Sequence, residues 1–463
     1  MKESTGYSSK HELPAYHAGN RFVFIAFLIY VVYWYLQGGQ RFPILGEIRF
    51  ELIAGLMLGA FAVHNYLVNP CRKPSGIGYW VAFLLATFVL MTIFSAVPAF
   101  SFDILVDRII KFALFGFMIA AFSTTPRRLA LFVGAFLLAS LKMGQEGLLG
   151  NITGSLIWEN QGVLRLHGST PNYMHPNSFS GMALGCIPFL LHFFPVVPVS
   201  LRLVLLVHLG LMLHIVVFTG SRTGYLGLLG MIVIFIWQTK HRVRLLIVLG
   251  LVAAVVGPII PAQYFDRAQM LSVEQEGEQG GIAKREEIFR DAWQVFTDHP
   301  MGIGVSAFPA VRNARFGRSQ DTHSLYLEIA TNLGVPGLIA FSGFIVTLLR
   351  LLSKISRSVS QQIDLLRQRF AGRASSPESL GNVDAHLLDL RIILATSGAV
   401  FLFLVTRLTL GVLGHDLYEI YWWFALGVTL AMWNINSVAW QRTHQLVQSL
   451  ASMNDQSRST HCG

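Results

Sequence analysis

The chain has 463 residues, of which 53% are hydrophobic and only 13% are charged, and its formal net charge is +10. Average soluble domains carry about 25% charged residues, so this composition excludes an ordinary soluble protein. Apolar runs of about 18 residues or more recur along the chain, each long enough to cross a bilayer as a helix. We therefore predict an all-α fold, a polytopic transmembrane helical bundle of about twelve spans with one long helical loop outside the membrane. The predicted spans are 21–37, 45–68, 79–99, 105–123, 129–150, 174–195, 202–219, 223–239, 243–261, 333–352, 389–413 and 419–440.

The Lys and Arg residues of the short loops predict the orientation of this bundle. With both termini in the cytoplasm, the basic loops on the cytoplasmic side are 72–73, 127–128, 202, 239–244 and 353–388. The opposite side then receives 151–173, the turn at Arg222, the segment 262–332 and the loop near Asp416. The net charge is explained by this bias together with a basic site on the opposite side, so it does not indicate nucleic-acid binding.

These spans and loops divide the chain into four parts. We expect spans one to nine with short loops at 1–261, a long polar loop with candidate catalytic residues at 262–332, spans ten to twelve with the cytoplasmic loop 353–388 at 333–440, and a cytoplasmic tail at 441–463. The polar N-terminal residues show no cleavable signal pattern, so we expect the first span to stay as an anchor.

Cysteines and short motifs give no sign of a cofactor. Cys71, Cys186 and Cys462 are odd in number and far apart in the predicted topology, so they predict neither a disulfide framework nor a metal cluster. Phosphate-loop, zinc-helix and nucleophile-elbow motifs are missing from the sequence. We expect no metal and no cofactor.

Charged residues inside predicted spans need a partner, a cavity or water. Lys142 and Glu146 are one helical turn apart in span five, and we predict an internal ion pair between them. Arg407 in span eleven is a weaker candidate for substrate binding, with Asp416 of the adjoining loop as its alternative partner.

Arg222 lies in the turn TGSRTG between the apolar runs 211–218 and 225–237. An ionised side chain there is costly unless it faces water, a cavity or an anion. One interpretation is a snorkelling arginine at the membrane interface. The predicted orientation favours an anion site instead, because isolated arginines are scarce on the side of the membrane opposite the cytoplasm.

Arg285 lies in the first turn of a predicted amphipathic helix that follows Gly280 and Gly281, with Ile288, Ala292, Val295 and Phe296 on its apolar face. A cation at this place opposes the helix dipole, whereas a bound anion is favoured by the free backbone N–H groups and the guanidinium. This mismatch points to phosphate. The alternative is that Arg285 pairs with Glu286 or Glu287, and we expect Arg290 to be a solvated helix residue.

His323 follows Asp321 and Thr322, which are good helix-capping residues, and this predicts a histidine in the first turn of a helix that runs to about Asn332. A helix N-terminus favours the neutral imidazole, which can accept a proton. We therefore consider a catalytic base here, with a capping or packing histidine as the alternative. Gly334 and Pro336 are expected to end the helix, and His299 is expected to be structural.

Four motifs in this order resemble those of the O-antigen ligase and O-antigen polymerase superfamily. They are NYMHPNSFSGMALG at 172–185, SRTG at 221–224, HPMGIGVSAF at 299–308 after the helix of Arg285, and THSLYLEIATNLGVPG at 322–337. Each motif is weak singly, but the ordered set is fairly specific. The similarity covers roughly residues 129–344, with compatible spans on either side.

The resemblance implies a metal-independent, inverting membrane glycosyltransferase of the GT-C type in the bacterial inner membrane. Such an enzyme takes a glycan from undecaprenyl pyrophosphate at the periplasmic face and transfers it to an acceptor hydroxyl. On this chain, Arg222 and Arg285 would hold the pyrophosphate and His323 would activate the acceptor. Many relatives have Asn where this chain has Ser324, a small departure.

The resemblance leaves the acceptor open. We expect O-antigen ligation to lipid A core, with a polymerase that extends lipid-linked O-antigen or exopolysaccharide repeats as the alternative. A polysaccharide or lipid transporter is the alternative of another class, but its charges should be spread through the depth of the bilayer rather than gathered at one face. The implied partners are the lipid-linked donor, the acceptor and membrane lipids.

Overall fold

The computed structural model describes residues 16, 19–68, 75–160, 163–239, 242–259, 262, 264, 281–370, 377–414 and 416–461. The predictions for residues 71–73, 240–241, 280, 371–376 and 462 lie outside these ranges. Three helices, of 46, 34 and 41 residues, are much longer than one membrane span needs. The helices are α1 Arg21–Tyr35, α2 Gly38–Arg41, α3 Pro43–Glu47, α4 Phe50–Val68, α5 Ile77–Ile93, α6 Pro98–Ile104, the π-helical stretch Leu105–Ile110, α7 Lys111–Phe122, α8 Pro126–Thr153, α9 Pro176–Phe193, α10 Val199–Phe218, α11 Arg222–Gln238, α12 Arg242–Val256, α13 Gly281–Asp298, α14 Phe308–Phe316, α15 Leu325–Phe370, α16 Pro377–Leu410 and α17 Tyr421–His461.

The prediction of an all-α membrane protein is confirmed, but the number of twelve spans is not. Five helical segments of the described chain are long and apolar enough to cross a membrane: Phe50–Val68, Pro126–Thr153, Val199–Phe218, Leu325–Phe370 and Gly381–Leu410. Three shorter apolar helices accompany them: Arg21–Tyr35, Ile77–Ile93 and Arg222–Gln238. The difference arises because several predicted spans fold into helices of only 15–17 residues: Arg21–Tyr35, Ile77–Ile93, Arg222–Gln238 and Arg242–Val256. The fourth predicted span begins with the π-helical stretch Leu105–Ile110, which α7 continues.

Helix α8 shows how the sequence sets the ends of a span. The Thr125 side chain accepts a hydrogen bond from the backbone N–H of Arg128, and Pro126 occupies the first helical position. Both features are typical of a helix N-terminus. Gly154 follows the last residue with φ of 74°, a left-handed conformation that favours glycine and ends the helix.

Small residues allow neighbouring helices to approach closely. A Cβ atom on Gly116 of α7 would collide with the carbonyl oxygen of Trp423 in α17, and one on Gly427 of α17 would collide with the carbonyl oxygen of Gly116. Close backbone approach of this kind is the usual basis of helix association in lipid, where apolar side chains gain little from leaving the solvent. The two helices therefore form a tight pair in the core.

The predicted loop 151–173 contains an antiparallel β-hairpin that the sequence did not predict. Its strands are β1 Ile157–Asn160 and β2 Val163–Leu166, and Trp158 pairs with Arg165 across them. The hydroxyl of Tyr264, near the start of the segment 262–332, donates to the carbonyl oxygen of Leu164 at 3.0 Å. The hairpin thus joins that segment to the membrane bundle.

Helix α15 spans 46 residues and contains one non-helical residue, Gly334, with φ of 64° and ψ of −159°. The predicted break at Gly334 is therefore seen as a kink. Beside it, the Val335 N–H donates to the carbonyl oxygen of Pro300 at 2.8 Å, and the Gly304 N–H donates to that of Asn332 at 3.0 Å. Beyond the kink the helix continues to Phe370, well into the predicted connector 353–388.

A buried polar layer joins α15, α16 and α17 far along these helices. Thr443 of α17 donates from its hydroxyl to Gln362 Oε1 of α15 at 3.0 Å, and its oxygen lies 2.8 Å from Nε2 of His386 in α16. All three side chains are buried. Buried polar groups are costly when unpaired, so this layer favours one relative alignment of the three helices.

Candidate active site

The turn between α10 and α11 places Arg222 at the start of a helix. Ser221 caps α11, its hydroxyl accepting from the Gly224 N–H at 3.1 Å, and Gly220 before it has φ of 56°. Gly224 packs so closely on Ser180 of α9 that a Cβ atom would collide with it. Arg222 is thus the first residue of α11, at the positive end of the helix dipole.

Arg165 binds this turn, and the sequence analysis did not identify it as a site residue. Its Nε donates to the carbonyl oxygen of Thr219 and its Nη2 to Asn177 Oδ1, both at 2.8 Å. Only 3% of its surface is exposed. Nothing in the sequence distinguishes this arginine from a solvated loop residue, because its two partners lie 12 and 54 positions away.

Arg285 is the fifth residue of α13, so it belongs to the second turn rather than to the predicted first one. The alternative partner Glu287 is engaged by Arg318 and by Arg312, and Arg285 forms no ion pair with any residue that the structure describes. Burial lowers the pKa of the Arg285 guanidinium, and so does the positive charge of Arg222. The two predicted pyrophosphate-binding arginines therefore lie within electrostatic reach of each other.

The predicted amphipathic character of α13 is confirmed. Ile288, Ala292 and Val295 are buried, whereas Arg290 on the same helix is exposed, as expected. Ala292 and Val295 belong to a small hydrophobic cluster, separate from the main core, that also contains Ile303, Ala307 and Phe308. This cluster packs α13 onto the glycine turn and α14, which fixes the helix that carries Arg285.

His323 lies two residues before α15 and not in its first turn, which corrects the prediction. The helix begins at Leu325, and His323 has φ of 50°. The reason is a local turn: the Thr322 hydroxyl donates to the Ser324 carbonyl oxygen at 3.1 Å and accepts from the Ser324 N–H at 3.4 Å. A left-handed non-glycine residue is uncommon, and such strain concentrates at functional sites.

The segment around His323 is tied to the loop after α16. The Leu325 N–H donates to the carbonyl oxygen of Gly411 at 2.8 Å, and the Tyr326 hydroxyl donates to that of Leu408 at 2.9 Å. From the other side, the Leu417 N–H donates to Oε2 of the buried Glu328 at 3.1 Å. These contacts hold the start of α15 in place.

Arg407 lies next to this loop, and its predicted partner is present. Its Nη1 is 3.8 Å from Asp416 Oδ2, and its Nη2 donates to the carbonyl oxygen of Gly181 in α9 at 2.8 Å. The guanidinium carbon lies 3.3 Å from the centre of the Tyr421 ring. With 3% of its surface exposed, Arg407 joins α9, α16 and the loop; the predicted role in binding pyrophosphate stays a prediction.

The predicted ion pair between Lys142 and Glu146 in α8 is confirmed, and two further side chains bind the same carboxylate. Lys142 Nζ lies 3.4 Å from Glu146 Oε1, and Arg41 binds both carboxylate oxygens of Glu146 at 2.7 and 2.8 Å. Ser169 adds a hydroxyl donor to Glu146 Oε2 at 2.6 Å. Within the described ranges, no group of three or more His, Cys, Asp or Glu side chains is arranged to hold a metal ion.

Residues 207–342 match the family model described as O-antigen ligase, and this match contains Arg222, Arg285 and His323. This part of the chain is similar to the O-antigen ligase family. No curated protein matches the chain. The family match confirms the prediction of a membrane enzyme that transfers polyprenyl-linked glycans in polysaccharide biosynthesis. Arg407 lies outside the matched residues.

Proposed function

We propose that this protein transfers a glycan from undecaprenyl pyrophosphate to an acceptor hydroxyl on lipid A core, at the periplasmic face and without a metal. One observation carries the proposal. Arg222 and Arg285 belong to different elements of the matched region, yet the charge of one lowers the pKa of the other. Two neighbouring cations repel each other, and a bound dianion removes this repulsion. A pyrophosphate diester carries two negative charges and can accept hydrogen bonds from both guanidinium groups.

The two arginines assist the departure of the leaving group. As the bond between the anomeric carbon and the pyrophosphate oxygen breaks, negative charge grows on the departing undecaprenyl pyrophosphate. Arg222 and Arg285 stabilise this charge, and fixed cations in a sheltered site lower such a barrier by several kcal/mol, about 2.7–4 per donor in measured cases. The leaving group then needs no proton from a general acid.

His323 acts as the base. The acceptor oxygen forms its bond to the anomeric carbon from the side opposite the pyrophosphate, and the hydroxyl proton passes to the imidazole. A single displacement inverts the anomeric configuration. Two features support this role: the left-handed backbone of His323, and the hydrogen bonds between Thr322 and Ser324 on either side of it. They fix the backbone position from which the imidazole ring projects.

Ligation is favoured over polymerisation because the sequence has one long polar segment, 262–332, between its apolar runs. A transporter is disfavoured by the position of the charges, since Arg222 and Arg285 gather at one end of their helices. The acceptor is the distinction that the experiment must make.

The test is glycan transfer by purified protein in liposomes that contain undecaprenyl-pyrophosphate glycan and lipid A core, with EDTA present. We expect core-linked product with the unmodified protein, and a loss of at least about 100-fold, equivalent to ~2.7 kcal/mol, in Arg222→Ala, Arg285→Ala and His323→Ala. Arg290→Ala and His299→Ala are matched controls, because both residues are exposed in the same region; they should retain activity.

Three other outcomes are informative. Lengthened lipid-linked glycan without modified core would assign a polymerase instead. Activity that EDTA abolishes would contradict the metal-free mechanism, and full activity in the three variants would overturn the assignment of the site.

A further inference from the structure

A basic groove lies on α15 at a distance from the transferase site. Its volume is about 500 Å³, and its lining residues are Val346, Leu349, Arg350, Ser353, Lys354 and Arg357. The three cations are spaced by four and three positions, so they follow one face of the helix, with the two aliphatic residues at its near end. The transferase mechanism uses none of them.

The three cations of the groove are exposed and are not neutralised by acids of the described chain. None of them forms an ion pair with a described residue, and the Arg357 Nε donates only to the carbonyl oxygen of Ser353 at 3.3 Å, within its own helix. Like charges one helical turn apart repel one another. An anion that lies between them removes this repulsion.

The position of the groove along α15 sets its depth in the membrane. Arg350 and Arg357 follow the kink at Gly334 by roughly 24 and 35 Å, at 1.5 Å per residue. This distance matches the hydrocarbon thickness of about 30 Å. The groove therefore lies at the headgroup level of the membrane face opposite His323, and Val346 and Leu349 face the acyl-chain region.

A second cavity supports the placement of the groove at the level of the lipid headgroups. It has a volume of about 220 Å³ and lies between α15 and α17, lined by Ser358, Trp433, Asn436, Ser437 and Trp440. Ser358 directly follows Arg357, so the two cavities lie at the same level of α15. Tryptophan is enriched where the headgroups meet the acyl chains, which places this part of both helices at the interface.

We propose that the groove binds one anionic phospholipid, with its phosphate among Arg350, Lys354 and Arg357 and an acyl chain along Val346 and Leu349. Basic pockets on transmembrane helices recognise such headgroups by charge. The undecaprenyl-linked donor does not compete for this groove, because the arginines assigned to the donor lie at the other end of the bundle. The proposal is independent of the acceptor specificity of the enzyme.

The test compares lipid retention by the purified full-length protein in detergent, measured by native mass spectrometry with phosphatidylglycerol and phosphatidylcholine as probes. We expect the unmodified protein to retain phosphatidylglycerol preferentially. The triple variant Arg350→Gln, Lys354→Gln, Arg357→Gln should bind it roughly tenfold more weakly or worse, since each basic residue near the headgroups adds measurably to binding. Phosphatidylcholine binding should not change.

Two further variants make this result decisive. The control Arg127→Gln, Arg242→Gln, Arg244→Gln removes the same charge from exposed positions outside the groove and should retain phosphatidylglycerol. The variant Arg350→Lys, Arg357→Lys keeps the charge and should also retain it. Equal losses in the groove and control triples would overturn the proposal in favour of general surface charge. Displacement by inorganic phosphate at the same concentration as the lipid would overturn it in favour of a free-anion site.

Discussion

Arg312 Nε lies 2.9 Å from Asp291 Oδ2, and both side chains are buried. Asp291 belongs to α13, the helix of Arg285, whereas Arg312 belongs to α14. Arg312 also donates from Nη1 to the carbonyl oxygen of Gln320 at 3.4 Å, three residues before His323. One ion pair therefore links the helix of a proposed pyrophosphate ligand to the segment of the proposed base.

Removal of either partner of this ion pair should destabilise the surrounding segment. Asp291→Asn leaves the buried Arg312 with the longer ion pair to Glu287 at 3.9 Å, and Arg312→Gln leaves the buried Asp291 with that to Arg318 at 3.5 Å. We expect each variant to lose roughly 1.5–3 kcal/mol of stability in this segment. Hydrogen exchange of residues 281–324 measures it, and should show faster exchange in both variants. Arg315→Gln is the matched control, because Arg315 pairs with Asp298 at 2.5 Å at an exposed site; such pairs contribute about 0.2–1 kcal/mol. Equal effects of Arg315→Gln and Arg312→Gln would contradict the argument.

Arg165 should position the turn of Arg222 through its bond to the Thr219 carbonyl oxygen. Arg165→Gln is expected to raise KM for the lipid-linked donor and to lower kcat/KM on the order of tenfold, or ~1.4 kcal/mol. Asn177→Ala removes the other partner and leaves the bond to Thr219, so its effect should be smaller. A variant at Arg165 with unchanged donor KM would show that the turn holds its conformation without it.

Arg407 and Asp416 should behave as a coupled pair. We expect Arg407→Gln and Asp416→Asn each to lower the Tm in detergent, and the double variant to lose less than the sum, with a coupling energy of about 1–3 kcal/mol. Additive losses, together with a higher donor KM only in Arg407→Gln, would instead favour the predicted role of Arg407 in binding pyrophosphate.

Gly334→Ala should destabilise the protein by at least roughly 2 kcal/mol. The residue has a positive φ, and a Cβ atom would collide with the backbone of Met301 and Pro300. Gly210→Ala in α10 is the control, because a Cβ atom there meets nothing within 4 Å; helix propensity predicts a gain of about 0.5–1 kcal/mol. Thermal unfolding in one detergent compares the two, and equal Tm values would refute the role assigned to the kink.

The sequence predicted those features that depend on composition or on local spacing. Hydrophobic runs located the helices, and the four-residue spacing located the pair Lys142 and Glu146. Arg407 and Asp416 could be paired because only a short loop separates them. The number of spans was not obtained, since hydropathy does not show that apolar runs such as those at Arg21–Tyr35 and Arg222–Gln238 fold into helices of only 15 and 17 residues.

Features that depend on distant contacts were not predictable. Arg312 and Asp291 are 21 positions apart, and Arg165 and Thr219 are 54 apart, so no local pattern shows that these arginines are buried. The position of His323 was missed for another reason. Both Thr322 and Ser324 are suitable caps, and only the folded chain shows that the Thr322 hydroxyl bonds to Ser324 and not to the helix.

The length of α15 gives the protein a shape that hydropathy alone does not suggest. From Gly334 to Phe370 the helix rises roughly 55 Å, nearly twice the hydrocarbon thickness of about 30 Å. Gln362, roughly 42 Å from the kink, therefore stands outside the hydrocarbon, as does the buried layer that it forms with Thr443 and His386. The three helices therefore extend together beyond the length that one span needs, and this layer fixes their alignment there.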